Sequence, residues 1–205
     1  MVEDLRTARR FLSRAGWKGR IDELHFEVLN EHTTSQERQG LLDPILVHGK
    51  PVGIISEAGL PCVADPGKDL VRDAHNKGIK VVPLVGPSSL MLALMASGFN
   101  GQNFAFVGYV PRDTREREQH LRQLEKQMYA TSQTQIMIET PYRNKALFES
   151  IIKVCQPNTA LCIARELSLD TEWVATKTIA QWRQQKNAPD IHKRNTVFLL
   201  YINEL

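Results

Sequence analysis

The stretch Val52–Gly98, VGIISEAGLPCVADPGKDLVRDAHNKGIKVVPLVGPSSLMLALMASG, decides the fold. It opens on Val52–Ile55, a short apolar run that reads as a buried strand, and passes into the loop Ser56–Gly67. A helix is expected over Asp69–Lys77, closed by Gly78, and a second strand over Lys80–Leu84. The turn Gly86–Ser89 then opens a helix over Ser88–Ser97, closed by Gly98. Strand and helix in alternation require crossover connections and a mostly parallel sheet. Ligands in such sheets bind beyond the C-terminal ends of the strands, which is where both loops fall.

Upstream of this core, Leu5, Ala8, Phe11, Leu12 and Ala15 recur at helical spacing before Gly16. Leu24, Phe26 and Val28 alternate with polar neighbours as in a half-buried strand. Thr34 and Glu37 have the spacing of a capping box, opening a helix that carries Leu41, Leu42, Ile45 and Leu46. Downstream, Phe104–Tyr109 reads as a strand and Pro111–Asp113 as a turn. A charged, Gln-rich helix follows over Thr114–Tyr129. The remainder reads strand Gln135–Ile138, helix Asn144–Cys155, strands Leu161–Ala164 and Trp173–Thr176, helix Ile179–Gln185 and strand Val197–Ile202. Consecutive strands here call for a mixed sheet. The composition change near Val110 places a domain boundary there, giving an N-terminal α/β domain over 1–109 and a C-terminal α/β domain over 110–205. The polar stretch Gln184–Asn195 reads as a loop.

The 205 residues are enough to bury a substantial core, and a net charge of +3 permits a nucleic-acid partner without requiring one. No apolar run is long enough to cross a bilayer, and the charged start lacks the features of an export signal, so a cytoplasmic protein is expected. The three cysteines form no CxxC pair and the six histidines have no ligand spacing, so no metal is expected. The chain holds no GxSxG, P-loop or GxGxxG pattern, which disfavours serine hydrolases, P-loop nucleotidases and ordinary dinucleotide enzymes.

Small residues and prolines in Ser56–Gly67 suit close backbone approach to a ligand, and equally suit a rigid connection with none. Gly86–Ser89 places free N–H groups and serine hydroxyls where the polar end of a cofactor could dock, though Ser88 capping its own helix accounts for the pattern as well. In IETPYRN, Glu139 ends a strand and Arg143 lies four residues on, so an ion pair and a cleft-facing carboxylate are both open. Arg165 and Glu166 repeat that arrangement after Leu161–Ala164.

Taken in order, ISEAGLPCVADPG, VVPLVGPSS, FAFVGYVPRD, IMIETPYRN and CIARELS resemble the tetrapyrrole-methylase superfamily. Within it they are most similar to the branch containing the ribosomal small-subunit RNA cytidine 2′-O-methyltransferases. The opening VEDLRTARRFL also resembles that branch through Glu3, Asp4 and Arg6. The resemblance implies a two-domain α/β enzyme, usually a homodimer, binding S-adenosylmethionine between its domains. It places cofactor contacts on Gly59, Leu60, Pro61 and Val63, on Pro87, Ser88 and Ser89, and on Glu139 and Ala164. Members of the family begin with a strand and loop that precede the position of Val2, so the N-terminal domain is expected to be incomplete. A lysine–glycine–glutamate segment of the RNA-modifying branch is replaced by Lys193, Arg194 and Asn195.

Methyl transfer to a hydroxyl needs near-attack positioning and a proton acceptor. Asp65 and Glu139 are the expected catalytic carboxylates, with Glu57 a further candidate and Arg143 or Arg165 as positioning charges. Asp65 bracing its own loop is the competing reading. Three functions follow as expectations: 2′-O-methylation of ribosomal RNA, served by Arg112, Arg115, Arg117, Lys193 and Arg194; methylation of a small molecule such as a tetrapyrrole; or a shortened, non-catalytic chain that binds a partner.

Overall fold

Strict alternation of apolar residues builds the centre of the second half. In the computed structural model, which describes residues 1–202, Met137, Leu161, Ile163, Phe198 and Leu200 point to one side of a five-stranded sheet. Ile136, Cys162, Ala164, Val197 and Leu199 point to the other. The strands are β1 (Phe104–Tyr109), β2 (Thr134–Ile138), β3 (Thr159–Arg165), β4 (Trp173–Thr178) and β5 (Thr196–Ile202), in the order β1-β2-β5-β3-β4. β1 and β2 are parallel, and the other three pairs are antiparallel. Both faces are apolar because both are covered.

The helices divide between those faces. Starting from the N-terminus, α1 is Leu5–Leu12, α2 Ser35–Arg38, α3 Asp43–Leu46, α4 Lys68–Asn76 and α5 Ser89–Ser97. After β1 come α6 (Thr114–Thr131), α7 (Asn144–Val154) and α8 (Ile179–Gln184). Leu121, Leu124 and Met128 of α6 meet Leu147, Phe148 and Ile151 of α7 and Trp182 of α8 on one face of the sheet. Leu90, Ala93 and Leu94 of α5 cover the other. The Trp182 indole, 2 % exposed, donates from Nε1 to the Leu161 carbonyl at 3.0 Å, so its polar edge is satisfied inside the core. Asp113 caps α6 by accepting from Glu116 N at 3.0 Å, and Thr178 with Gln181 forms a capping box on α8.

The chain divides into two compact units, Met1–Ser88 and Ser89–Leu205. The division lies earlier than the composition change at Val110. β1 pairs in parallel with β2, and α5 packs on the sheet, so both join the second unit. The mixed sheet expected for the second half is present, and its strands match the sequence expectation to within two residues at each end.

The first unit departs further from expectation. Its core is Leu29, Leu41, Leu42, Leu70 and Ala74, with Ile54, Ile79 and Val81 packed alongside. The parallel sheet expected there is reduced to two isolated bridges, Val2 with Val28 and Val2 with Ile55, both parallel. Lys80–Leu84 joins no ladder, and Val82 and Leu84 are exposed. The sequence has strand character at these places, but strand character expresses packing on a neighbouring strand, and only Val2 offers one. The capping box at Thr34 and Glu37 is formed. The helix expected to follow it is two short helices, α2 and α3, with Pro44 in the first turn of the second. Gly78 and Gly98 adopt positive φ next to the helix ends they were expected to close, whereas α1 ends at Leu12 and Gly16 takes its positive φ inside the wider helical turn Ser13–Trp17.

Candidate functional site

The loop Ser56–Gly67 starts from the bridge that Val2 makes with Ile55, where Ile55 N donates to the Met1 carbonyl at 3.0 Å. One step further, Glu57 N donates to Glu3 Oε1 at 2.9 Å. The loop then turns through four left-handed positions, Gly59 (φ 76°), Cys62 (69°), Ala64 (59°) and Gly67 (124°). Cys62 and Ala64 carry a Cβ there, at a cost of ~1 kcal/mol or more each. The surrounding loop holds them. Ser56 Oγ donates to the Gly59 carbonyl at 3.2 Å and Val63 N to the Leu60 carbonyl at 3.2 Å. Gly67 has no alternative, because a Cβ there would stand 2.8 Å from Cys62 Sγ.

Leu60 connects this loop to the second one, since a Cβ on Gly86 would meet Leu60 Cδ2 at 3.3 Å. Gly59 and Val63 are exposed, and Leu60 and Pro61 are half-buried. Pro87 is exposed, Ser88 half-buried, and Ser89 is the exposed first residue of α5. Within the first unit, Leu60 thus brings the Ser56–Gly67 loop against the Gly86–Pro87 turn, next to the exposed backbone of Gly59 and Val63. Together they offer peptide groups and small side chains, the donor set that suits a nucleoside with a polar tail.

Asp65 lies in the same loop. Partial burial, reinforced by the negative charge of Glu3, pushes its carboxyl up to about 6. The neighbouring Cys62 thiol is also pushed up, by burial and then by Asp65. A carboxylate poised near neutrality is a competent proton acceptor. Glu57 is exposed, its amide rather than its carboxylate being engaged by Glu3.

In the second unit, Ile138 and Ala164 both pair with Val197, on its two sides, so β2 and β3 end at the same sheet edge. Glu139 and Arg165 follow at that edge. The Glu139 side chain, 1 % exposed, accepts from Thr140 N at 2.6 Å and from Arg143 Nη2. The ion-pair reading of the IETPYRN segment is the one its geometry supports. Ala164 is buried against α5 with Leu90, Ala93 and Leu94. Arg165 stacks over Trp173, 5.5 Å from the ring centre, and its Nη1 donates to the Asp190 carbonyl at 2.7 Å and to Asp190 Oδ2 at 3.2 Å.

Arg194 completes a network that the sequence did not reveal, donating to Glu166 Oε2 at 2.8 Å and to Asp190 Oδ2 from Nε at 3.1 Å. Its only advance signal is the density of charge in the polar stretch before β5. Lys193, at φ 59°, places its ammonium 5.5 Å from the Tyr142 ring centre, and Tyr142 is 70 % exposed. Arg117 is removed from the set of RNA-facing cations. It is 6 % exposed and bonds Ser150 Oγ, the Arg112 carbonyl and Thr114 Oγ1, because its place on α6 faces α7. Arg112, Arg115 and Lys193 are exposed.

Among the described residues, no three His, Cys, Asp or Glu side chains gather as a metal site, and no helix is long and apolar enough to cross a membrane.

No family model matches the chain. Curated relatives do. The ribosomal RNA small subunit methyltransferase I of Vibrio cholerae is 30% identical over 199 residues, 97% of this chain and 66% of the relative. The protein of the same name from Mesorhizobium japonicum is 33% identical over 195 residues, 95% of this chain and 63% of its own length. That of Halalkalibacterium halodurans is 31% identical over 167 residues, 82% and 54% respectively. The chain thus spans between about half and two thirds of the length of these relatives. Among solved structures, the methyltransferase CobJ superposes with a TM-score of 0.56 at 15% identity, covering 89% of this chain and 79% of that one. The cobalt precorrin-4 methyltransferase CbiF gives 0.51 at 15% identity, covering 90% and 79%. These two likenesses establish the fold as that of the tetrapyrrole methylases. Together with identities of 30–33% along nearly the whole sequence, they show that the chain belongs to the tetrapyrrole-methylase superfamily, in the branch of the ribosomal RNA small subunit methyltransferase I proteins.

Proposed function

We propose that the chain binds S-adenosylmethionine and transfers its methyl group to a ribose 2′-hydroxyl of small-subunit ribosomal RNA. The observation that carries this reading is the left-handed loop Ser56–Gly67, brought against Gly86 by Leu60, with Asp65 raised to about 6 in the same loop. The names of the relatives supply the acceptor class. When bound, the cofactor supplies an electrophilic methyl carbon on a sulfonium and leaves as a neutral thioether.

The chain's own residues do the rest. Peptide groups of Gly59–Val63 would hold the nucleoside end and Ser88, in the same unit, the amino-acid end; Ser89 is a cofactor contact only as far as the resemblance implies it. Ala164 and Glu139 remain cofactor contacts only as far as the resemblance implies them. Asp65 takes the hydroxyl proton as the acceptor oxygen bonds to the methyl carbon. At pH 7 its carboxylate is the predominant form, so the base is ready without a metal. Glu139 is a weaker candidate for that task, since both its hydrogen bonds and its charge are committed to Thr140 and Arg143. Arg112, Arg115 and Lys193, all exposed, supply phosphate contacts. A homodimer acting in the cytoplasm completes the proposal, supported by the exposed apolar run Val82, Leu84 and Val85, which a second copy would cover.

The test is transfer of a radiolabelled methyl group by the purified chain to small ribosomal subunits and to tetrapyrrole precursors in parallel. Label on the subunits alone supports the proposal. Label on the tetrapyrrole alone overturns the acceptor, and absence of cofactor binding by calorimetry overturns the site.

A further inference from the structure

The segment Met1–Glu3 is stitched to the start of the Ser56–Gly67 loop by more than the bridge at Val2. Val2 N donates to the Glu27 carbonyl at 3.0 Å and Leu29 N to the Val2 carbonyl at 2.9 Å, fixing the segment on one side. Ile55 N reaches the Met1 carbonyl at 3.0 Å on the other. Val2 is 2 % exposed, so its position is not free to slide. Glu3 therefore arrives at the loop on a fixed backbone, and its Oε1 accepts from Glu57 N at 2.9 Å, fifty-four residues away in sequence. Glu57 is the second residue of a loop that must then thread four left-handed positions.

We infer that Glu3 is a positioning residue of the cofactor loop: its carboxylate clamps the Glu57 amide and so fixes the start of the loop. The inference rests on the reading of Ser56–Gly67 as a cofactor loop. A charged acceptor on a backbone N–H is among the stronger hydrogen bonds a loop can use, and here it anchors the residue two places before Gly59. The same carboxylate is the charge that, after burial, most raises Asp65. Glu3 is the charged group that bears on Asp65, and Asp65 in turn raises the Cys62 thiol. Two substitutions separate the hydrogen bond from the charge. Glu3→Gln keeps an acceptor oxygen and removes the charge. Glu3→Ala removes both.

The experiment uses the full chain, with S-adenosylhomocysteine as probe, calorimetric affinity measured from pH 5 to 8, and amide hydrogen exchange resolved at Glu57. Glu3→Ala is expected to speed Glu57 exchange and weaken probe affinity, each about tenfold. Glu3→Gln is expected to keep the slow exchange and the affinity at pH 7, while the Asp65 titration, read from its carboxyl carbon by NMR, moves down from about 6. Unchanged Glu57 exchange in Glu3→Ala overturns the clamp, as does a Glu3→Gln variant that exchanges as fast as Glu3→Ala. An unmoved Asp65 titration in Glu3→Gln overturns the charge role. If the unsubstituted chain fails to bind the probe while the exchange and titration respond as stated, the cofactor reading fails and the clamp stands.

Discussion

Replacing Asp65 by Asn tests the site through its electrostatics before any activity is measured. The carboxyl sits at about 6 in the folded chain because burial and Glu3 disfavour its charged form. In the unfolded chain it titrates near the ordinary carboxylate value of about 4. The sign follows from linkage. A folded-state value above the unfolded one means the folded state holds the proton more tightly, so stability is greatest below about pH 4 and is lost as pH rises towards 6. At pH 7 the ionised carboxylate is a net burden on the first unit. The full difference would be ~3 kcal/mol, but Asp65 is only partly buried, and solvent screening brings the expectation to ~1 kcal/mol. Asp65→Asn is therefore expected to make the first unit more stable than wild type by ~1 kcal/mol at pH 7, with the advantage gone at pH 4.

The assay is urea-dependent hydrogen exchange by mass spectrometry at pH 4, 5.5 and 7, following peptides from residues 1–88 so that the second unit does not mask the change. The same variant is expected to lose methyl transfer by ~10²–10⁴-fold while retaining cofactor affinity. Identical pH dependence in variant and wild type would refute the electrostatic argument. Full methyl transfer by the variant would remove Asp65 from the chemistry whatever its stability.

Arg143→Ala leaves the Glu139 carboxylate 1 % exposed without its cation, so the second unit should lose ~3 kcal/mol in urea melts, most of it recovered on adding Glu139→Gln. Gly67→Ala forces a Cβ to 2.8 Å from Cys62 Sγ at φ 124°; a loss of ~2 kcal/mol and weakened cofactor binding should appear together in thermal and calorimetric measurements. Trp182→Phe removes the indole donor to the Leu161 carbonyl and should cost ~1 kcal/mol in urea melts, the worth of one buried hydrogen bond. Lys193→Ala should reduce affinity for RNA and flatten its salt dependence by ~1 in log–log slope, with no change in melting.

The second half was legible in the sequence because each of its strands satisfies its own pattern. Thr159–Arg165 and Thr196–Ile202 are apolar runs bounded by polar loops and become buried inner strands, while Phe104–Tyr109 and Trp173–Thr178 are rich in aromatic and β-branched residues and form the more exposed edges. The first half carries equally good local signals at Leu24–Val28 and Lys80–Leu84, yet these give one bridge and no bridge respectively. A ladder is a property of two segments, and periodicity in one cannot report whether a partner is beside it. Arg117 fails for the converse reason. Its neighbours on α6 are charged and polar, and only the approach of α7, with Ser150 2.9 Å away, shows that this arginine faces inward.

The two expected catalytic carboxylates show where composition ends and environment begins. Asp65 lies within a small-residue loop and Glu139 directly after a strand, and sequence alone offers both as cleft carboxylates. Glu139 is enclosed with a guanidinium and a backbone amide aimed at the same oxygen, an arrangement that occupies its carboxylate and ties the turn into α7. Asp65 is enclosed only in part, with no cation in ion-pair range among the described residues and with Glu3 acting against its charge. Pairs of like groups whose surroundings push them apart are how one fold assigns structural and proton-transfer duties. On that ground Asp65, rather than Glu139, is the proposed proton acceptor. Burial raises Asp65 first and Glu3 adds to it, and Glu3 is delivered to the loop by the short run Met1–Glu3, held in place by Val2, which bridges Val28 and Ile55.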